Sequence, residues 1–177
     1  MLHAMIDLET LGTAADAVIL SVGAVLFDPY KDDVVSEFYS TGIDIDQHDR
    51  KIDDGTLRWW FKQGDAARAQ HIVERVMLYD VMTDLRSFLK PVDGGVWGNG
   101  ADFDNAILNH AWRSTCSRSD TLYPYWQTRC FRTFVNLFDP TKKYRPQSND
   151  HNALNDCLNQ VKWMQRIVAN EEGVPQL

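Results

Sequence analysis

The sequence predicts a single α/β domain, a mixed β-sheet flanked by α-helices. Three observations carry this reading. Strand-like apolar runs fill the first forty residues, helical patterns follow as far as about residue 90, and strand and helix then alternate. The 177 residues amount to one ordinary domain, so 1–177 is read as a unit.

The elements follow in order. Leu2–Leu8 reads as a strand, Ala17–Phe27 (AVILSVGAVLF) as a longer apolar one, and Val34–Tyr39 as a third. Asp28-Pro29-Tyr30-Lys31-Asp32-Asp33 supplies turn chemistry between the last two. Helical patterns cover Thr56–Lys62, Asp65–Met77 and Val81–Leu89, and Pro91 with Gly94-Gly95 ends that stretch. Val96-Trp97 reads as a short buried strand, followed by a Gly-Asn-Gly turn and a helix from Asp104 to Arg113. A strand at Tyr125–Cys130, a short helix at Phe131–Phe138 and a loop from Asp139 to Asp150 come next. The last helix, Asn152–Asn170, carries Ala153, Leu154, Cys157, Val161, Met164 and Val168 on one stripe, with Asp156 at its border beside Ile167.

Composition excludes several classes. With 44% hydrophobic and 11% aromatic residues the chain is globular rather than disordered. No apolar run approaches the roughly 20 residues of a membrane span, and Met1-Leu2-His3-Ala4 lacks the pattern of a signal peptide, so the cytoplasm is the expected compartment and no membrane partner is expected. Cys116, Cys130 and Cys157 are odd in number and show no paired spacing, which supports neither a disulfide framework nor a zinc knuckle. The net charge of −7 hides an asymmetry. Between His110 and Asn149 stand Arg113, Arg118, Arg129, Arg132, Lys142, Lys143 and Arg145 against only Asp120 and Asp139, a local excess of +5. Such a segment either tracks a phosphate backbone or is a solvated face.

The chemistry-bearing residues are four acids and a histidine in the order Asp7, Glu9, Asp104, His151 and Asp156. In Met5-Ile6-Asp7-Leu8-Glu9-Thr10-Leu11-Gly12 the two acids are two apart on a strand and point to one face. Paired carboxylates facing a core repel each other and are costly to desolvate, and a cation between them relieves both. Scattered acids that converge on two divalent cations are the equipment of phosphodiester hydrolysis. Each residue has a plainer reading: Asp102 and Asp104 as helix N-caps, His151 as a surface or capping histidine, Asp156 as a surface acid.

Taken together, three motifs resemble those of the DEDDh exonucleases, the four-acid-and-histidine branch of the ribonuclease-H-like superfamily. Asp7-Leu8-Glu9 is similar to the first motif, Asn99-Gly100-Ala101-Asp102-Phe103-Asp104 to the second, and His151-Asn152-Ala153-Leu154-Asn155-Asp156 to the third. The Phe-Asp match selects Asp104 over Asp102, and Asn99 and Phe103 belong to the same motif. With Trp59-Trp60 and Val96-Trp97-Gly98-Asn99-Gly100, the chain looks like the compact phage and prophage group related to ribonuclease T and labelled exodeoxyribonuclease VIII-like. It departs from many relatives in the basic Arg129-Cys130-Phe131-Arg132-Thr133 before the penultimate helix.

The resemblance implies a ribonuclease-H-like sheet and a 3′-to-5′ exonuclease acting on single-stranded DNA or RNA ends, with the phage-like character leaning to DNA. It also implies two Mg²⁺ or Mn²⁺ ions, with Asp7 bridging them, Glu9 and Asp156 on the ion that activates water, and Asp104 on the ion at the leaving 3′-oxygen. His151 takes the water's proton, for which an imidazole is suited near neutrality. Trp59 and Trp60 either stack on an unpaired base or anchor their helix, one of each being expected. Thr10 and Leu11 resemble the positions that seat the terminal nucleotide, with a plain strand-end turn as the alternative. Arg129, Arg132, Lys142, Lys143 and Arg145 are the candidates for backbone contact, and homodimerisation is common in the ribonuclease T-like relatives. Two rival readings are a catalytically silent ribonuclease-H-like module that binds nucleic acid or protein, and an endonuclease or resolvase on the same fold.

Overall fold

A computed structural model of the chain describes residues 1–146 and 151–170. The end of the expected Asp139–Asp150 loop, residues 147–150, and residues 171–177 lie outside the described residues. Five strands form one mixed sheet: β1 (His3–Thr10), β2 (Ile19–Phe27), β3 (Val34–Thr41), β4 (Val96–Gly98) and β5 (Thr128–Cys130), in the order β3-β2-β1-β4-β5. β1 pairs antiparallel with β2 and parallel with β4, β2 pairs antiparallel with β3, and β4 parallel with β5. Among the described residues the α-helices are α1 (Asp54–Phe61), α2 (Asp65–Ala69), α3 (Leu78–Leu89), α4 (Asp104–Thr115), α5 (Phe131–Phe138) and α6 (Ala153–Asn170).

The alternation in β1 sorts its residues between two layers. Ala4, Ile6 and Leu8 pack with Val81, Met82 and Leu85 of α3 and Ile107, Leu108 and Ala111 of α4. Met5 turns the other way, into a cluster with Phe131 and Phe134 of α5 and Cys157, Val161, Met164 and Ile167 of α6. Asp7 and Glu9 continue the Met5 row by the period of two. β2 is buried along its whole length because helices cover both faces, which is why it reads as an unbroken apolar run.

Two elements differ from the sequence expectation. The helix expected over Asp65–Met77 stops at Ala69. Downstream, Val76 forms a parallel bridge with Ile43, sealed by Asp44 N–H to the Val76 carbonyl (2.9 Å) and Val76 N–H to the Gly42 carbonyl (3.1 Å). Ile72 is 82% exposed, so the apolar residues of this stretch give a helix no face to bury, and β-bonding wins. The strand expected over Tyr125–Cys130 shrinks to Thr128–Cys130, because the chain after Pro124 turns through a 3-10 segment at Tyr125–Gln127 closed by Gln127 N–H to the Pro124 carbonyl. In α6 the stripe is as expected at Ala153, Cys157, Val161 and Met164, while Ile167 is fully buried and Val168 only partly so. Among the described residues no helix is long and apolar enough to cross a membrane.

The approach of α6 to the sheet depends on one glycine. Gly23 lies opposite Asp7 in the β1/β2 register. A Cβ there would overlap the Ala153 carbonyl group and come within 2.6 Å of the Leu154 nitrogen. Only a residue without a side chain lets the first turn of α6 sit against β2.

Candidate active site

Three carboxylates meet where β1 ends and α6 begins. One oxygen each from Asp7, Glu9 and Asp156 lies within 4.8 Å of the other two. The side chain of Asn152 caps α6 by accepting the Asn155 N–H (3.0 Å), and its carbonyl accepts the Asp156 N–H (2.9 Å), so Asp156 sits in the first turn directly over β1. Asp104 enters from α4. Gly98 at the end of β4 leaves no Cβ to collide with Asp104, and the Asn99 N–H donates to Asp104 Oδ2 at 2.7 Å. Asp104 is 1% exposed whereas Asp102 is exposed. Asp102 does not cap α4: Phe103 holds the N-cap position, and no side-chain cap bond is made there among the described residues.

The electrostatics of this cluster are dominated by burial and by the mutual repulsion of its acids. Burial, then Asp156 and Asp104, push the Glu9 carboxyl from 4.5 up to about 8. Burial, then Asp104, Asp156 and Glu9, push Asp7 well above the usual carboxylate range, opposed by the Gln160 amide, which donates to Asp7 Oδ1 at 2.8 Å. Asp104 rises to about 6 through burial, moderated by backbone N–H groups and by Arg132. Asp104 Oδ1 is buried with no hydrogen-bond partner among the described residues. A hard divalent cation fits this donor set: the ligands are carboxylate oxygens, their mutual repulsion is relieved by positive charge, and one buried oxygen is still without a partner.

His151 lines a cavity of about 220 Å³ together with Asp7, Asp156, Asn99, Gln160 and Arg145. Its backbone is left-handed (φ 46°), its carbonyl accepts from the Gln70 amide, and its ring stands edge-on to Trp59, 5.0 Å between centroids. The two tryptophans separate. Trp60 is 5% exposed and its indole N–H donates to the Thr10 carbonyl at 2.8 Å, while Trp59 is 41% exposed beside His151. Phe103 packs partly against the α3/α4 core. The Thr10 hydroxyl donates to the Gly12 carbonyl (2.6 Å) and the Leu11 N–H to the Val18 carbonyl (2.8 Å), so both are engaged in the strand-end turn.

The basic residues also divide. Arg145 borders the acid cavity with its guanidinium over Trp163. Arg132 and Lys142 line the adjoining pocket with Asn99 and Arg145. The Lys143 ammonium lies over the Tyr144 ring, 4.5 Å from its centroid. Arg129 does not join them. Its guanidinium donates to the carbonyls of Trp126 and Thr128, beside His3 and Gly95, because the sheet register sets it level with Trp97 and Met5, two residues short of Asp7 along β1. A larger groove of about 650 Å³ runs from α3 to residues 120–127; Asp120, the acid in its lining, is paired with Arg86.

Sequence reasoning missed two residues, Gln160 and Gln70. Gln160 stands one helical turn after Asp156, so i,i+4 spacing places it on the same face. Gln70 meets His151 across 81 positions of sequence, and no local pattern signals that.

A family model described as the 3′-5′ exoribonuclease Rv2179c-like domain matches residues 2–168. No curated protein sequence matches the chain. Among solved structures, E. coli exonuclease I in complex with a dT13 oligonucleotide is similar, with a TM-score of 0.66 at 13% identity over 94% of this chain and 40% of that one. The nuclease domain of 3′hExo, a DEDDh family member bound to rAMP, gives 0.61 at 14% identity over 96% and 92%. Cell-death related nuclease 4 gives 0.60 at 13% identity over 97% and 65%. At these identities the likeness is one of fold, and the chain spans about two fifths of the length of exonuclease I.

Proposed function

The chain belongs to the 3′-5′ exoribonuclease Rv2179c-like domain family, and from that premise we propose that it is a divalent-metal-dependent exonuclease that releases nucleoside monophosphates from the 3′ ends of single strands. The observation that carries this is the convergence of Asp7, Glu9 and Asp156 within 4.8 Å, with buried Asp104 beside them and His151 on the same cavity. The four acids are the residues that would hold Mg²⁺ or Mn²⁺, and two such ions when bound supply an activated water and stabilise the charge that forms on the leaving 3′-oxygen.

The chain's own residues do the rest. His151 accepts the proton of the attacking water, and its place beside Asp7 and Asp156 supports that role. The Gln160 amide fixes one oxygen of Asp7 and so sets which lone pairs remain for a cation. Trp59 offers a half-exposed aromatic face next to His151, suited to stacking on the terminal base, whereas Trp60 holds α1 against the end of β1. Arg145, Arg132 and Lys142 form the basic wall along which the backbone of the strand approaches.

The sugar is assigned as ribose. The leaning to DNA in the sequence rests on a few short motifs, while the family's description names ribonucleolytic activity and covers nearly all of the chain. The experiment is digestion of matched 5′-labelled RNA and DNA single strands with Mg²⁺, Mn²⁺ or EDTA. A descending ladder on RNA, slower on DNA and absent with EDTA, is expected. Internal cuts would instead support the endonuclease reading, and binding without product the silent module.

A further inference from the structure

We propose that Gln70 is a positioning residue for this reaction: its side-chain amide fixes the backbone carbonyl of His151 and the side-chain amide of Asn152 so that the imidazole is presented to the acid cluster. The inference rests on the assignment of His151 as the proton acceptor. Gln70 is at the C-cap of α2 and, among the described residues, its hydrogen bonds go to His151, Ala67, Asn152, Tyr39 and Thr41 rather than to an acid of the cluster.

All four hydrogen-bonding positions of the Gln70 amide are used. Nε2 donates to the carbonyls of His151 and of Ala67, the latter at 3.0 Å. Oε1 accepts from Asn152 Nδ2 at 2.9 Å and from the Tyr39 hydroxyl at 3.4 Å. Rotating the amide by half a turn would set NH₂ against NH₂ and carbonyl against carbonyl, so the network admits one orientation. Gln70 is itself anchored, because its backbone carbonyl accepts from Thr41 Oγ1 on β3 at 2.7 Å.

What this clamp holds is an unrelaxed backbone. His151 has φ 46°, a conformation that residues other than glycine keep only when their surroundings impose it. Trp59 packs edge-on against the ring. Asn152, the second residue held, also caps α6, so one amide ties the histidine and the helix carrying Asp156 to the far edge of the sheet. Without the bond to its carbonyl, His151 is free to leave the left-handed region and carry its ring away from the cavity.

The test is single-turnover cleavage by Gln70→Ala, Gln70→Glu and Tyr39→Phe, each also measured by thermal melting and by Mn²⁺ calorimetry, with Gln70→Ala repeated in a His151→Ala background. Gln70→Glu keeps the acceptor for Asn152 and Tyr39 but turns a lone pair toward the His151 carbonyl. We expect Gln70→Ala and Gln70→Glu to lower the saturating rate by about 10- to 100-fold, as displacement of a reacting group does. The KM and the Mn²⁺ affinity should stay within about twofold, and Tyr39→Phe should be near wild type because Asn152 still donates to Oε1. In the His151→Ala background, removing Gln70 should cost nothing further. An equal loss in both backgrounds, or full activity of Gln70→Glu, would overturn the proposal. Should Gln70→Ala not fold, the near-isosteric Gln70→Glu decides. Full activity of His151→Ala identifies a different failure, that of the proton-acceptor assignment, and removes the role of Gln70 with it.

Discussion

Replacing Glu9 with Gln should stabilise the metal-free protein, and the gain should depend on pH in a direction fixed by the cluster. Glu9 is 9% exposed on β1, and burial with the neighbouring Asp156 and Asp104 raises its carboxyl from 4.5 to about 8. Between those values the folded protein holds a proton that the unfolded chain has released, so stability falls as pH rises. At about 1.4 kcal/mol per pH unit, the carboxyl costs roughly 3 kcal/mol at pH 7 and about 5 kcal/mol above pH 8. Glu9→Gln keeps the shape and removes the titration. Urea unfolding in EDTA should therefore show no advantage for the variant near pH 4 and a gain of about 3 kcal/mol near pH 7, a midpoint shift on the order of 1–3 M. Mg²⁺ should reverse the order by stabilising the wild type, by about 4.1 kcal/mol at a thousand times the dissociation constant. The reasoning is refuted if the metal-free wild type gains stability from pH 5 to 8, or if Glu9→Gln is the less stable protein at pH 7.

Three further outcomes follow from the geometry. Gly23→Ala should lift the first turn of α6 off β2, costing about 1–3 kcal/mol of stability and more than tenfold in turnover as Asp156 leaves the cluster; a melting curve and rate like wild type would show that α6 does not depend on that contact. Trp59→Ala should raise KM by the equivalent of about 1–3 kcal/mol without changing the melting temperature, whereas Trp60→Ala should cost about 3–5 kcal/mol of stability; similar effects in both assays would contradict their separation. Arg145→Ala should flatten the salt dependence of single-strand binding by about 0.7 and Arg129→Ala should leave it unchanged, the reverse pattern placing the strand on the other side of β5.

The sheet and the acids were legible in the sequence because both obey local periods. Asp7 and Glu9 share a face by the strand period, and Asp156 follows His151 at a helix start. The short helix α5 was readable too, its ends falling at Phe131 and Phe138 as expected. The stretch after Ala69 was not, since its apolar residues mimic a helix while Val76 is claimed by a bridge to Ile43, more than thirty positions away. The same limit hid the sorting of the basic residues: Arg129 and Arg132 are three apart in sequence, yet the boundary between β5 and α5 sends one toward His3 and the other toward Asp104. Gln70 was invisible for the same reason, because the bond that matters is to a backbone carbonyl, and a carbonyl has no sequence signature.

The most direct measurement is a time course on a 5′-labelled single strand with wild type and Asp7→Asn, in Mn²⁺ and in EDTA, with the folding of both proteins checked by circular dichroism. Asp7 sits at the centre of the cluster, against Glu9, Asp156 and Asp104. The wild type in Mn²⁺ should shorten the strand one nucleotide at a time, and EDTA should abolish this. Asp7→Asn should be inert while folded at least as stably as the wild type, since it removes a carboxyl whose ionisation burial and its neighbours oppose. A folded Asp7→Asn that degrades the strand at the wild-type rate, or wild-type shortening that persists in EDTA, would contradict the carboxylate-held metal centre.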